Sequence, residues 1–171
     1  MFDAEKLRAL NFAMIDYYTG MPKYIQHFEK VHAFSSMIAQ EEGLDEDTRF
    51  ILEAAALVHD IGIKPSKEKY GSSAGQYQQI EGPAPAGEMM KKLGFSGDVI
   101  ARVQYLVAHH HTYTNIDGAD YRILVEADFL VNAYEDNMSE AAIRTAAEKI
   151  FETESGKKLL NDLFLGEKYN V

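Results

Sequence analysis

The sequence predicts an all-α, single-domain helical bundle, and three observations carry that prediction. The 171 residues suit one domain, and 46% of them are hydrophobic, which is enough to fill a core. Apolar residues recur at the three- and four-residue spacing of helices through most of the chain. No segment sustains the alternation of apolar and polar residues that a half-buried strand requires. We therefore expect one domain over residues 1–171.

Periodicity and turn residues place the predicted helices in order along the chain. Their expected limits are residues 3–18, 23–42, 46–60, 84–94, 97–111, 121–136, 139–153 and 155–165. Gly20 interrupts the first pattern, and Gly43 ends the second helix. Asp45 or Asp47 can cap the third helix. The segment 62–83 is rich in glycine, proline and serine, so it predicts a long loop, with or without short helical turns, of a kind that is often functional.

Two predicted helices are apolar on nearly every side, and each carries an aspartate. The third predicted helix ends at His59-Asp60 after a continuous apolar run, and Asp128 lies within another such run. An unpaired carboxylate in these surroundings costs several kcal/mol. Arg122 or Lys149 could neutralise Asp128, and a capping or salt-bridged role could satisfy Asp60. A divalent metal would serve both carboxylates at once.

Histidine supplies the other candidate metal ligands. The chain has six histidines and no cysteine, so a metal site here must use imidazole and carboxylate donors. His32 lies beside the apolar side of the second predicted helix, whereas His27 looks like a surface position. Successive helical residues point about 100° apart, so His109, His110 and His111 cannot all face one ion. Taken singly, His32 is more typical of a satisfied core histidine than of a ligand, and the three adjacent histidines are also typical of a solvated helix end.

The acidic composition narrows the classes of partner. A net charge of −10 argues against a protein that binds nucleic-acid polymers or an anionic membrane by general electrostatic attraction. A small phosphorylated ligand remains compatible with it. No signal peptide and no bilayer-length apolar stretch is visible, so we expect a cytoplasmic protein. The sequence leaves open whether the chain forms a homo-oligomer.

The order of these residues resembles the signature of the HD-domain superfamily of metal-dependent phosphohydrolases. Its elements here are His32, then His59-Asp60, then the histidine cluster, then Asp128. The stretches that contain His59-Asp60 and Asp128 look like the superfamily's two most recognisable blocks. The similarity runs over about residues 24–135. The resemblance implies an all-α HD-type domain with a metal-dependent hydrolytic activity.

The resemblance also implies a ligand set for one or two divalent ions. The ligands of the first ion would be His32, His59, Asp60 and Asp128. The ligands of a second ion would be Glu81, His110 and His111, with Asp60 able to bridge. Glu81 stands there in place of a histidine that similar proteins have. Iron, manganese, zinc, cobalt and nickel all accept imidazole and carboxylate ligands.

The expected reaction is hydrolysis of a phosphate ester in a small phosphorylated molecule, for which a nucleotide is one candidate. Metal-activated water would attack the phosphorus, with Asp60 and Lys64 as catalytic residues. Lysines, hydroxyls and backbone N–H groups bind phosphate, and the expected substrate contacts are Lys64, Lys67, Ser72 and Ser73. Two alternatives remain: a di-iron oxygenase of the same fold, and a non-catalytic nucleotide-binding or regulatory module.

Overall fold

The helices follow the predicted periodicity over most of the chain. The computed structural model describes residues 2–166, which form ten α-helices and a closing π-helical turn, with no strand among them. The elements are α1 (Ala4–Tyr17), α2 (Pro22–Glu41), α3 (Glu46–Val58), α4 (Ile63–Tyr70), α5 (Gly75–Glu81), α6 (Pro83–Lys92), α7 (Gly97–His109), α8 (Ala119–Glu135), α9 (Glu140–Ile150), α10 (Glu154–Leu160) and the π-helical turn Asn161–Leu165. The prediction of an all-α fold is confirmed. The predicted domain also includes Met1 and residues 167–171, which lie outside the described residues.

Helix α3 lies at the centre of the fold, as its apolar sequence predicts. It packs against α1, α2, α7 and α8, and all residues from Leu52 to Ile61 are buried. Each large apolar side chain that is fully buried contributes roughly 1.5–3 kcal/mol, so a helix with apolar residues on every side is most stable here. The consequence for function is that α3 delivers His59 and Asp60 into the interior.

Helix α8 is the second element that is buried on most of its sides. It packs against α2 and α3, and the residues from Ile123 to Val131 are all buried. Asp128 therefore lies inside the protein, next to the end of α3. The two apolar helices bring their aspartates to the same part of the core.

The start of α3 shows how the chain fixes the position of this central helix. Oδ1 of Asp45 accepts hydrogen bonds from the backbone N–H groups of Asp47 (3.0 Å) and Thr48 (2.9 Å). Such a cap stabilises a helix by about 1 kcal/mol. Gly43, with φ of +70°, ends α2 in the left-handed conformation that favours glycine. Of the two capping candidates, the structure therefore selects Asp45.

The segment 62–83, predicted as a long loop with or without short helical turns, contains two helices, α4 and α5. Two of its glycines serve close packing. A Cβ atom added to Gly62 or Gly82 would lie 2.6 or 2.8 Å from the carbonyl oxygen of Gln78. The glycine content, which suggested a loop, instead lets the chain on either side of α5 approach its backbone.

The C-terminal part of the described chain departs slightly from the expected helix over residues 155–165. Thr153 accepts a hydrogen bond from Gly156 N–H and begins α10, and the π-helical turn follows from Asn161. Across residues 2–166, no helix combines the length and the apolar character that spanning a bilayer would require.

Candidate metal centre

Four buried side chains from three helical segments meet where α2, α3 and α8 pack together. His27 comes from α2, His59 and Asp60 from the turn that follows α3, and Asp128 from α8. One donor atom from each residue lies within 4.8 Å of the others. The hydroxyl of Tyr18 steadies the turn by donating to the carbonyl oxygens of Asp60 and Ile61, each at 3.2 Å. The four residues form a cluster with the donor types that a divalent metal requires.

The distances within this cluster suit a shared cation. Nε2 of His27 lies 3.1 Å from Nε2 of His59 and 3.2 Å from Oδ1 of Asp128. Nε2 of His59 lies 3.4 Å from Oδ1 of Asp128, and Nε2 of His27 lies 3.4 Å from Oδ2 of Asp60. Donors held about 2.1 Å from one ion lie about 3.0–3.4 Å from each other. The side chains are therefore spaced as ligands of one ion would be.

Hydrogen bonds on the far side of each imidazole determine which nitrogen faces the cluster. Nδ1 of His27 donates to Oε2 of Glu135 at 2.9 Å. Nδ1 of His59 and of His110 donates to the backbone carbonyl three residues earlier, at 2.8 and 2.9 Å. A neutral imidazole that donates through Nδ1 has its lone pair on Nε2. In the neutral form all three rings would direct an acceptor nitrogen at carboxylate oxygens, an arrangement that needs a proton or a metal ion between them.

A second group of donors surrounds the other oxygen of Asp60. Nε2 of His110 lies 3.0 Å from Oδ1 of Asp60, and Nε2 of His111 lies 3.7 Å from the same atom. Nε2 of His111 is buried and has no hydrogen-bond partner within the described residues. An unpaired buried nitrogen costs about 1–3 kcal/mol, so its position suits a ligand for a cation. The two oxygens of Asp60 therefore face two different pairs of histidines.

The pKa values in the cluster show that it attracts positive charge. Burial alone would raise the pKa of Asp60, but the charge of His59 and a hydrogen bond from His110 hold it well below its usual range. Burial is likewise outweighed at His27, where Asp128 and Asp60 raise the pKa to about 9. At His111, burial and the neighbouring His110 lower the pKa to about 4. Asp60 therefore stays anionic, and the imidazole of His111 stays neutral and able to act as a metal ligand.

The structure does not place His32 in the cluster, so this part of the sequence prediction is wrong. Nε2 of His32 lies 3.1 Å from Oε2 of Glu53, whose other oxygen accepts a hydrogen bond from Ser36. The buried stripe of α2 includes Val31 and Ser35, and it extends to His27. His27, which the sequence reasoning set aside as a surface residue, is the α2 histidine in the cluster. The four-residue spacing that runs from His27 to Val31 and Ser35 is the one signal in the sequence that pointed to it.

Glu81, the expected carboxylate ligand of a second ion, also points elsewhere. Its Oε1 accepts hydrogen bonds from Nζ of Lys69 at 2.6 Å and from the hydroxyl of Tyr70 at 2.7 Å. These contacts, led by the one with Lys69, lower the pKa of Glu81. Because α4 neutralises this carboxylate outside the cluster, the assignment of Glu81 is corrected.

His109, Arg122 and Lys149, which the sequence analysis considered near the site, make no hydrogen bond or ion pair with Asp128 in the described part of the chain. Nδ1 of His109 donates to the carbonyl of Tyr105 at 2.7 Å, and the two rings stack, so His109 lies apart from His110 and His111. Arg122 pairs with Glu152 rather than with Asp128. Within residues 2–166, Lys149 makes no ion pair with Asp128. The partners of Asp128 are His27, His59 and Nδ2 of Asn132, which donates at 3.0 Å.

The expected phosphate-binding residues lie mostly away from the site. Nζ of Lys64 lies over the ring of Tyr17, 4.9 Å from its centroid, and Lys67 donates to the hydroxyl of Tyr24. Ser72 accepts a hydrogen bond from the backbone of Ala74. Ser73 lines the cavity described next, whereas Lys64, Lys67 and Ser72 do not. The two lysines thus lie over aromatic rings of α1 and α2.

An open cavity of about 1130 Å³ leads to the cluster and is lined by Asp60 and His111. Small side chains of α9 form part of its wall, among them Ala142 and Ala146. The sequence reasoning did not single out Gln78 and Tyr113 of this lining, and it considered Lys149, which also lines the cavity, only as a partner for Asp128. Tyr113 lies close enough to Asp128 and Asp60 that their charges, after burial, raise its pKa. The cavity is large enough for a small organic substrate.

Comparisons with known proteins relate the chain to one family. The sequence model of the HD domain matches residues 24–151. Among solved structures, the chain is similar to a predicted HD superfamily hydrolase from an uncultured Thermotogales bacterium. The two share 28% sequence identity and superimpose with a TM-score of 0.60, over 94% of this chain and 83% of that one. A comparison with curated proteins finds no match.

Proposed function

Because this chain belongs to the HD domain family, we propose that it is a metal-dependent phosphohydrolase that cleaves a phosphate ester in a small phosphorylated molecule. The family match confirms the resemblance that the ordered histidines and aspartates carry. The similar Thermotogales protein is described as a hydrolase, which supports hydrolysis as the reaction class. The observation that carries the proposal is Asp60, whose two oxygens face two pairs of histidines at the cavity.

The donor set supports one ion and offers partial ligation for a second. His27, His59, Asp60 and Asp128 would hold the first ion, and Asp60, His110 and His111 would contribute to the second. Divalent ions bound there would lower the pKa of a coordinated water and polarise a phosphoryl oxygen. Iron, manganese, zinc, cobalt and nickel all remain candidates for these ligands.

The residues around the cluster keep the imidazoles in a productive orientation. Glu135 accepts from His27 and is itself held by Nζ of Lys30 at 2.7 Å. Asn132 holds Oδ1 of Asp128 from the cavity side. Such partners fix the tautomer and direction of a ligand, and their loss typically costs 10–100-fold in metal affinity. Glu135 and Asn132 would therefore keep these donors oriented toward a bound ion.

The cavity supports a small phosphorylated substrate, and we take nucleotides as the first class to test. Its lining is mostly apolar, with Lys149 on α9 as its one lysine or arginine among the described residues. Lys149 makes no ion pair within residues 2–166, so its charge is available to an anionic group of a substrate. A net charge of −10 disfavours nucleic-acid polymers, which would meet repulsion beyond the cavity.

The proposal is tested by phosphate release from a panel of nucleotides and other phosphate esters. Protein stripped of metal and reloaded separately with manganese, iron, cobalt, zinc or nickel should release phosphate with at least one ion. Asp60→Asn should abolish that release. Asp98→Asn is the matched control, because Asp98 is exposed on α7, and it should leave the rate unchanged.

Three results would contradict the proposal. One is that no metal supports turnover and Asp60→Asn changes only stability. Another is that iron-loaded protein consumes oxygen with an inositol- or phosphonate-like substrate and releases no phosphate, which would identify an oxygenase. The third is tight nucleotide binding without turnover in the metal-loaded protein, which would identify a binding module.

A further inference from the structure

Gln78 lines the cavity near the second group of histidines and carries a buried hydrogen-bond acceptor that is unused within the described residues. Its side chain is 6% exposed and lines the same cavity as Asp60 and His111. Nε2 of the amide donates to the carbonyl of Ser73 at 2.9 Å, which fixes the orientation of the amide. Its Oε1 is buried and has no partner within the described residues. A buried amide oxygen without a partner is costly, so this one suits a ligand that the chain itself does not provide.

Helix α5 packs against His111 on the face that carries Gln78. Gly75 begins α5, and a Cβ atom there would lie 2.8 Å from Cγ of His111, so this face of α5 touches the imidazole. Gln78 is three residues later and lies on the same face of the helix. The Oε1 of Gln79 accepts hydrogen bonds from the backbone N–H of His111 at 3.2 Å and from Oγ1 of Thr112 at 3.0 Å. Helix α5, which carries Gln78, is thus joined directly to the segment that carries His111.

The backbone at Gln78 is held as firmly as its amide. The carbonyl of Gln78 accepts a hydrogen bond from the N–H of Gly82 at 2.8 Å. The absence of side chains at Gly62 and Gly82 lets the chain close around this carbonyl. A metal-binding side chain on so constrained a backbone is held in position for an ion.

We propose that the amide oxygen of Gln78 completes the second cation site, together with Asp60, His110 and His111. The ligand of this site is a divalent cation that accepts oxygen and imidazole donors. This inference deepens the proposed function, on which it rests for the role of the second ion. It assigns to Gln78 the place in the ligand set that the family resemblance implied for Glu81.

A neutral amide has a measurable consequence for the second site. The first group contains Asp60 and Asp128, whereas the second has only the shared charge of Asp60. Affinity for divalent ions rises with the number of charged ligands. The two ions should therefore bind with unequal affinity, the second at least about tenfold more weakly.

Titration of the metal-free protein with Mn²⁺, followed by electron paramagnetic resonance of the unbound ion, tests the proposal without a substrate. Wild type should bind two ions per chain in distinct steps. Gln78→Leu should lose the second step while the first dissociation constant stays within about twofold. Gln78→Glu should tighten the second step at least about tenfold, because it adds a charged oxygen. Gln76→Glu, an exposed change of the same charge on α5, should match wild type.

The outcomes separate this inference from the proposed function. If Gln78→Leu binds two ions as wild type does, or if Gln78→Glu leaves the second step unchanged, Gln78 is not a ligand. The same conclusion follows if Gln76→Glu tightens the second step as much as Gln78→Glu. Because ions are counted in the absence of substrate, a failure to release phosphate would overturn the proposed function and leave these results intact.

Discussion

Asp60 is the residue on which both groups of histidines depend. Oδ2 faces His27 at 3.4 Å, and Oδ1 faces His110 at 3.0 Å. We expect Asp60→Asn to weaken the binding of both ions by more than about 100-fold, because the loss of a ligand exceeds the effect of losing an outer partner. Metal content per chain after dialysis, measured by elemental analysis, checks this expectation.

Asp128 provides the comparison that makes the Asp60 result specific. It contacts His27 and His59 but belongs only to the first group of donors. Asp128→Asn should remove the first ion and retain part of the second group's binding. If Asp60→Asn and Asp128→Asn lose the same single ion, the two oxygens of Asp60 do not serve separate sites.

The two histidines of α2 allow a second prediction about single residues. His27 lies in the cluster, and His32 pairs with Glu53. We expect His27→Gln to weaken the first ion by more than about 100-fold, since it removes a ligand together with its bond to Glu135. His32→Gln is the matched control and should leave metal affinity within about twofold. Calorimetric titration with Mn²⁺ or Zn²⁺ measures both, and equal loss in the two variants would contradict the assignment.

The sequence indicates which residue types could form the candidate site. It does not indicate as well which of their side chains point into it. His59, Asp60 and Asp128 stand out because charged or polar groups interrupt strongly apolar runs. Positions 27 and 32 differ by five residues, or about 140° around a helix, and only the packing of α2 decides which one faces inward. Glu81 shows the same limit, because its contact with Lys69 depends on how α4 and α5 pack.

The close packing of helix α5 against His111 allows a prediction about the role of this helix. A Cβ atom at Gly75 would lie 2.8 and 2.9 Å from Cγ and Cδ2 of His111, so Gly75→Ala must displace the imidazole. We expect it to lower the free energy of unfolding by about 1–3 kcal/mol and to weaken the second ion more than the first. Denaturant unfolding and Mn²⁺ titration together measure these effects.

A glycine outside the site controls for the loss of backbone freedom. A Cβ atom at Gly97, at the start of α7, would have no neighbour within 4 Å. Gly97→Ala should therefore leave metal binding unchanged and keep stability or raise it by about 0.4–1 kcal/mol. If Gly75→Ala behaves in the same way, α5 does not position His111.

The elements that the sequence predicts well are those whose own periodicity decides their structure. Helices α3 and α8 carry continuous apolar runs, and the fold buries them as expected. Helices α4 and α5 are short and polar, with eight and seven residues, so periodicity has too few turns to reveal them. Contacts with the rest of the chain, such as those of Gln78 with Gly62 and Gly82, stabilise α5 in ways that no local pattern records.

For the molecule as a whole, metal removal should lower thermal stability. The fold brings two anionic carboxylates and several imidazoles into one buried region, where a cation offsets repulsion that the metal-free protein must bear. A ligand that binds only the folded state at 100 times its dissociation constant contributes about 2.7 kcal/mol. In a chain of this size that corresponds to roughly 5–10 °C in melting temperature. Differential scanning calorimetry of metal-loaded and chelator-treated protein measures the shift. Asp128→Asn should reduce it and Asp98→Asn should not; an equal shift in both variants would show that the stabilising ion binds elsewhere.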